Sequence, residues 1–368
     1  MDAAGFVRSL EQAGFGPFMG VPCSVFTPLI DHLGTLPADR HYVCTSEGEA
    51  MGLAGGFALA GRTPVVYMQN DGLGNAVNPL TSLQLLYRLP ALLLVSWRGE
   101  PGQKDAPQHK VMGARLFGLL EQLQVPHAVL EPGPDALERA LGEARAHVSA
   151  RSTPFALVVR KGYFAPGAKP TAVPADADDS GLAPRLDYIR LLAAAAAPGD
   201  VLLGATGFSG RELQQYTEHP GRFYMMGSMG CLPALGLGLA ESHPGRTVFV
   251  LDGDGALLMK LGSLATIGRR RPVNLVHLLF DNQAYESTGG QPTLAAGIDF
   301  CALARTCGYP AQESIADPQA FRALLAALAE RPKPLFVHVR VRCGTPAGLP
   351  RPEQPPERMR DDLMAFLG

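Results

Sequence analysis

Charge is scarce in this sequence. Only 18% of the 368 residues are charged, and 32 basic side chains against 34 acidic ones leave a formal net charge of −2. No basic run is present, which argues against nucleic acid as a partner. Cysteine is sparse as well: Cys23, Cys44, Cys231, Cys301, Cys307 and Cys343 are scattered without metal-ligand spacing. That pattern suits free thiols in a reducing cytoplasm and excludes a disulfide framework. No apolar stretch is long and uninterrupted enough to span a bilayer, so no membrane role is expected. The opening residues, Met1 to Phe6, lack the basic and apolar blocks of a secretory signal, and a cytoplasmic location is the expectation. Short tandem repeats are lacking too.

What the chain does have is a 46% hydrophobic content, which fits a globular protein long enough for two domains with substantial cores. Short apolar runs alternate with helical spacing. Strands are expected over residues 18–21, 41–44, 65–69, 91–96 and 155–160, with helices over 3–14, 25–33 and 46–60. The second half repeats the pattern, with strands over 200–203, 223–226, 248–251, 275–280 and 335–340. Such alternation predicts an α/β chain of two doubly wound, mostly parallel sheets of comparable size. Residues 165–184 are rich in Ala, Pro, Asp and Gly and read as a linker. The expected boundaries are a first domain over 1–164, a linker over 165–186, a second domain over 187–346 and a tail over 347–368 that ends in a short helix.

Two segments organise the rest: Leu251-Asp-Gly-Asp-Gly-Ala256 and Phe280-Asp-Asn-Gln-Ala284. The β-branched run before Asp252 is a buried strand, and the glycines flanking Asp254 let the backbone turn tightly against a ligand. Residues 257–267 have helical spacing, and the next strand ends at Phe280, so both polar clusters fall at the carboxyl ends of adjacent strands. Open α/β sheets bind ligands there. A carboxylate, an amide oxygen and exposed carbonyls suit a hard cation such as Mg²⁺. Glycine-rich N–H groups at a helix start suit the phosphates such a cation bridges. A lone Gly-Asp-Gly is most often an ordinary strand–turn–helix with Asp254 as the helix cap; the pairing with Asn282 at this spacing favours the ligand site.

In the first half, Ser46 and Glu49 fit a capping box, and Glu47 in the same first turn complements the helix dipole. The helix that follows carries Gly52, Gly55 and Gly56, each about 1 kcal/mol poorer than alanine in a helix interior. Close packing of a partner subunit or a planar ligand would compensate.

Together these segments resemble the thiamin-diphosphate enzymes, whose fold has a pyrimidine domain and a diphosphate domain. In that family a glutamate precedes a helix ending in an Ala-x-Gly-aromatic-Ala pattern, and Glu47 with Ala54-Gly-Gly-Phe-Ala58 matches it in register, whereas Glu49 does not. The resemblance implies that Glu47 is catalytic: a carboxyl group on the pyrimidine ring nitrogen favours the imino tautomer that generates the reactive carbanion. Gly227 and Met229 then match a turn that offers a carbonyl and an apolar wedge to the cofactor, although a lone Met is usually just core. Asp254, Asn282 and the carbonyl of Ala284 match ligands of Mg²⁺, and Thr206, Gly207, Gly253, Gly255, Ala256 and Tyr285 further cofactor contacts.

The linker leaves no room for the central domain of oxidising or carboligating relatives, which points to a small decarboxylase. The segments at 20–24, 68–82, 98–109 and 287–293 closely resemble the phosphonopyruvate decarboxylases, and next to them the sulfopyruvate decarboxylases, which often split the two domains between chains. That likeness implies decarboxylation of 3-phosphonopyruvate to phosphonoacetaldehyde and CO2 in phosphonate biosynthesis. The alternatives are another 2-oxo acid decarboxylase, a carboligase, or a non-catalytic cofactor-binding scaffold. A phosphonate dianion needs cations and several donors. Ser24, Asn75, Arg98 and His109 are the expected substrate-binding residues, with His109 as a proton donor because imidazole titrates near working pH; Lys104 and Lys110 read equally well as a solvated loop. Since cofactor residues come from both domains, a homo-oligomer with active sites between subunits is expected.

Overall fold

The computed structural model describes residues 1–166 and 181–368, which form two compact units, one in each of these stretches. Most of the expected linker lies outside the described residues. Its last residues already belong to the second unit: Pro184 bridges Arg342, and Arg185 opens the helix Arg185–Ala195.

The first unit is built on six parallel strands, β1 (Phe15–Gly20), β2 (His41–Val43), β3 (Thr63–Gln69), β4 (Leu92–Trp97), β5 (His127–Val129) and β6 (Phe155–Arg160), in the order β2-β1-β3-β4-β6-β5. The second has β7 (Val201–Gly204), β8 (Arg222–Tyr224), β9 (Val248–Gly253), β10 (Leu275–Asp281), β13 (Ala311–Ile315) and β14 (Leu335–Arg340), in the order β13-β14-β10-β9-β7-β8. Counted within its own unit, each sheet follows the order 2-1-3-4-6-5, so the second unit repeats the topology of the first. A small antiparallel pair, β11 (Ala284–Tyr285) with β12 (Gln291–Pro292), extends from the end of β10.

Both sheets are covered on both faces, which is why the central strands read as unbroken apolar runs. Val65 and Tyr67 enter the core on one face of the first sheet, and Val66 and Met68 the core on the other. Val248 and Val250 divide from Phe249 and Leu251 in the same way in the second. Each such side chain contributes roughly 1.5–3 kcal/mol by leaving water. The two strands without a sequence signal, β5 and β13, are half-exposed edge strands, and an edge needs no continuous apolar run.

One expected element is corrected. Residues 257–267 do not form a single helix: Asp254–Met259 and Ser263–Arg270 are separate helices. The turn before Leu232 explains the break. A Cβ on Gly230 would sit 2.8 Å from the Ala256 carbonyl and 2.6 Å from Cγ of Lys260, so that turn presses on the end of the first helix where the second would have to continue. The tail forms the helix Pro356–Leu367, with Leu363 and Phe366 packed on the second core and Arg246 stacked over the Phe366 ring at 4.8 Å.

Candidate active site

In both units the strand order reverses beside the first strand, between β1 and β3 and between β7 and β9. Parallel sheets of this kind receive ligands just beyond such a point. The polar residues collect there in each unit.

In the second unit a pocket is lined by Thr206 and Gly207 after β7, Met229, the run Gly253 to Ala256 after β9, and Asn282, Ala284 and Tyr285 after β10. Ten of the residues singled out by sequence thus meet in one place. Gly227 lies outside the lining, in a turn whose neighbouring residue, Met226, accepts a hydrogen bond from the Thr206 hydroxyl at 2.7 Å. Gly207 adopts φ 98°, a conformation that favours glycine, and caps the helix Phe208–Tyr216. Gly255 is needed for space: a Cβ there would lie 2.5 Å from the Tyr285 ring.

Asp254 starts its helix as expected, but its side chain is not spent on capping. It is 3% exposed and accepts from the Thr293 hydroxyl at 2.5 Å. Burial, and next the charge of Asp281, push its carboxyl up from 3.8 to about 7. A buried carboxylate held by a neutral donor and repelled by a second carboxylate is an environment that a divalent cation would relieve. Asn282 places Oδ1 3.1 Å from the Ala284 N–H and Nδ2 3.1 Å from Glu286. Asp254, the Asn282 amide oxygen and the backbone around Ala284 offer oxygen donors in one pocket, the kind of donor that a hard cation such as Mg²⁺ prefers. Among the described residues no cluster of three His, Cys, Asp or Glu side chains suits another metal.

In the first unit Ser46 caps the helix Glu47–Leu59 through the Glu49 N–H, and the Glu49 carboxylate reaches back to the N–H and hydroxyl of Thr45. Glu49 therefore does the capping and Glu47 is left for other work. Its side chain is 5% exposed, accepts from Asn75 Nδ2 at 2.9 Å, and lies across Gly72, where any Cβ would collide with it. Asn75 is thus a partner of Glu47, which its sequence position did not reveal. Gly55 packs closely inside the chain, since a Cβ would stand 3.0 Å from the end of the Leu83 side chain, whereas Gly52 and Gly56 face open space.

The loop after β4 carries Arg98 and His109. Arg98 does not offer the uncompensated charge that the sequence suggested. Its Nε and Nη2 donate to Asp105 at 2.7 and 2.5 Å, and Nη1 reaches the Ser24 hydroxyl at 3.1 Å. Burial opposes both charges, but the pairing prevails and holds Asp105 well below the usual carboxylate range. Asn70 clamps the Arg98 backbone from both sides, donating to its carbonyl and accepting from its N–H. His109 is buried with Nδ1 2.7 Å from Asp71 Oδ2, while Lys104 and Lys110 are exposed. Asp71, Asp105, Thr293 and Glu286 all lie in or beside the motifs, but pairings across up to 101 residues leave no signature in sequence.

Residues 3–116 match the description "Thiamine pyrophosphate enzyme, N-terminal TPP binding domain" and residues 205–339 match its C-terminal TPP binding domain. The chain belongs to the thiamine pyrophosphate enzymes. Each of its two units carries one of the family's two cofactor-binding domains, so thiamin diphosphate, with Mg²⁺, is its cofactor. Phosphonopyruvate decarboxylase of Streptomyces viridochromogenes is 37% identical over 376 residues, covering 99% of this chain and 94% of that protein. The enzyme of the same name from Streptomyces hygroscopicus is 37% identical over 380 residues, covering 100% and 94%. Sulfopyruvate decarboxylase of Methanosarcina acetivorans is 31% identical over 317 residues, covering 76% and 79%. Among the described residues no helix of this thiamine pyrophosphate enzyme is long and apolar enough to cross a membrane.

Proposed function

We propose that the chain is a thiamin-diphosphate- and Mg²⁺-dependent decarboxylase that converts 3-phosphonopyruvate to phosphonoacetaldehyde and CO2. The observation that carries this reading is the near full-length likeness to two phosphonopyruvate decarboxylases, with both cofactor-binding domains present. Bound thiamin diphosphate supplies an electron sink for the pair released as the carboxylate leaves. Asp254, Asn282 and the Ala284 carbonyl hold the cation; Thr206, Gly207, Gly253, Gly255, Ala256 and Tyr285 contact the diphosphate half, with Gly227 and Met229 placing the rings. Glu47 holds the proton exchanged with the pyrimidine, and Asn75 fixes its carboxylate. Ser24, Arg98 and His109 face the substrate. Asp105 fixes the plane of the Arg98 fork, so its remaining N–H donors meet the substrate's acid group without losing side-chain entropy. With Nδ1 engaged by Asp71, Nε2 is the His109 nitrogen that delivers a proton to the product carbon.

A CO2-release assay on phosphonopyruvate, sulfopyruvate and pyruvate tests the substrate. Phosphonopyruvate should lead in kcat/KM by about tenfold or more, since losing or misplacing one charged hydrogen-bonded group costs about 1.5–3 kcal/mol. A lead for sulfopyruvate would transfer the chain to that activity, and release without the cofactor would refute the mechanism.

The working site is proposed to form between the first unit of one protomer and the second unit of its partner. Gly52 and Gly56 on the helix Glu47–Leu59, and Gly238 on Leu232–Ser242, face open space as a close helix contact requires, and Leu59 is 74% exposed beside the first two. Mixing subunits of Glu47→Gln and Asp254→Ala checks this. In a randomly mixed dimer with shared sites, about a quarter of sites regain both native residues, so activity should return to about 25% of the native level. Sites built within single chains would regain none.

A further inference from the structure

The pocket of the second unit contains a charged group that neither the cofactor motif nor the proposed chemistry uses. Glu286, in the turn that follows β11, is the meeting point of three contacts. Its Oε2 accepts from Asn282 Nδ2 at 3.1 Å and from Arg185 Nη1 at 3.2 Å, and its Oε1 accepts from the Gly344 N–H at 2.6 Å. Arg185 is itself buried and doubly bound to Glu212, with Nε and Nη2 at 2.8 and 3.0 Å from its two oxygens. Glu212 is fully buried, and both Arg185 and Glu286 line the pocket.

The chemistry of a carboxylate decides what this arrangement does. An ionised carboxylate only accepts hydrogen bonds, so a side-chain amide placed against it must present its NH₂ group. That condition settles which way the Asn282 amide points. With Nδ2 on Glu286, the oxygen Oδ1 is turned to the opposite side, where it meets the Ala284 N–H at 3.1 Å. An asparagine without such a partner can offer either end, and only the oxygen is a ligand for a cation. Arg185 fixes the Glu286 carboxylate in place, because a guanidinium held by Glu212 on one side has a donor left for Glu286 on the other. The Gly344 N–H restrains the remaining oxygen, and the adjacent Cys343 thiol donates to the Asn282 carbonyl at 3.5 Å.

We infer that Glu286, held by Arg185, is a positioning residue for Mg²⁺: it orients the Asn282 amide so that its oxygen faces the cation. The inference rests on the reading of Asn282 as a cation ligand. Partners behind a metal ligand typically govern about 10–100-fold of metal affinity. The conservative change Glu286→Gln keeps the size and adds a donor, so Asn282 can present either end. Removing Arg185 instead would leave the buried Glu212 uncompensated beside the partly exposed Glu286, which endangers folding. Arg185→Lys is the second variant, since it keeps the charge and loses the fork that joins the two glutamates.

The test titrates Mg²⁺, at saturating thiamin diphosphate, against the melting temperature of full-length wild type, Glu286→Gln, Arg185→Lys and Asp254→Asn. Glu286→Gln should bind Mg²⁺ about tenfold more weakly or worse, with kcat largely recovered at saturating Mg²⁺, and Arg185→Lys should weaken it in the same direction. An unchanged Mg²⁺ midpoint in Glu286→Gln, with Asp254→Asn abolishing the response, overturns the inference and leaves the cation site standing. An unchanged response in Asp254→Asn overturns the cation site itself.

Discussion

Replacing Glu47 by glutamine should lower kcat by about 10²–10⁴-fold, the range of a well-placed acid–base group, or about 3–5 kcal/mol of barrier. Glutamine has the same shape and can still accept from Asn75, so the fold should be undisturbed. Thiamin diphosphate with Mg²⁺ should still raise the melting temperature, since the proposed cation ligands, Asp254, Asn282 and Ala284, lie elsewhere in the chain. A companion change isolates geometry from chemistry. Gly72 has ordinary helical angles, φ −67° and ψ −20°, so alanine is tolerated by the backbone there. Its Cβ would nevertheless strike the Glu47 carboxylate and move it. Gly72→Ala should therefore cost about 10–100-fold in kcat while the carboxylate remains present, because displacements of about 1 Å at a reacting group have effects of that size. Near-native turnover in Glu47→Gln would remove Glu47 from the chemistry, and native turnover in Gly72→Ala would show that its position is not critical.

The parts of this architecture that could be read from sequence are those whose cause is local. A buried parallel strand must be apolar along its length, and β6 and β14 were expected over the residues they occupy, 155–160 and 335–340. The Asp254 and Asn282 clusters were legible because glycines and turn residues sit where each strand ends. The first-turn glutamates were separable only through the resemblance; in the structure they take different partners, Glu49 the N–H and hydroxyl of Thr45 and Glu47 the Asn75 amide. What stayed hidden was set by partners distant in sequence. Arg98 looked like an available cation because nothing local says that Asp105 folds back onto it. Glu286 looked like one more turn residue, because Arg185 lies 101 positions away. The break at 260–262 was missed for the same reason, since Gly230 imposes it from a different turn.

Asp254→Asn should change stability and function in opposite directions. The Asp254 carboxyl is raised to about 7 in the folded chain, chiefly by burial, whereas an unfolded carboxyl titrates near 4. Below about pH 4 both states hold the proton and the group is neutral in its effect. As pH climbs from about 4 to 7 the unfolded chain releases the proton and the folded one does not, so the apoprotein loses stability and above 7 retains the full deficit. A three-unit rise corresponds to as much as about 4 kcal/mol, and asparagine escapes it because it carries no charge and can still accept from Thr293. The apo variant should therefore melt higher than the apo native protein at pH 8, by several degrees, with the two curves converging near pH 4. Loading reverses the order. At 100 times its dissociation constant a ligand adds about 2.7 kcal/mol of stability, and the native protein should gain that with Mg²⁺ and thiamin diphosphate while the variant gains little and loses turnover. A variant no more stable than the native apoprotein at pH 8 would mean that the carboxylate is not strained by its surroundings. If the variant kept the full Mg²⁺ response, the strain would have no cation to explain it. Both results together tie the cost of burying Asp254 to the binding that it makes possible, the trade expected where a chain is shaped by its ligand more than by its own stability.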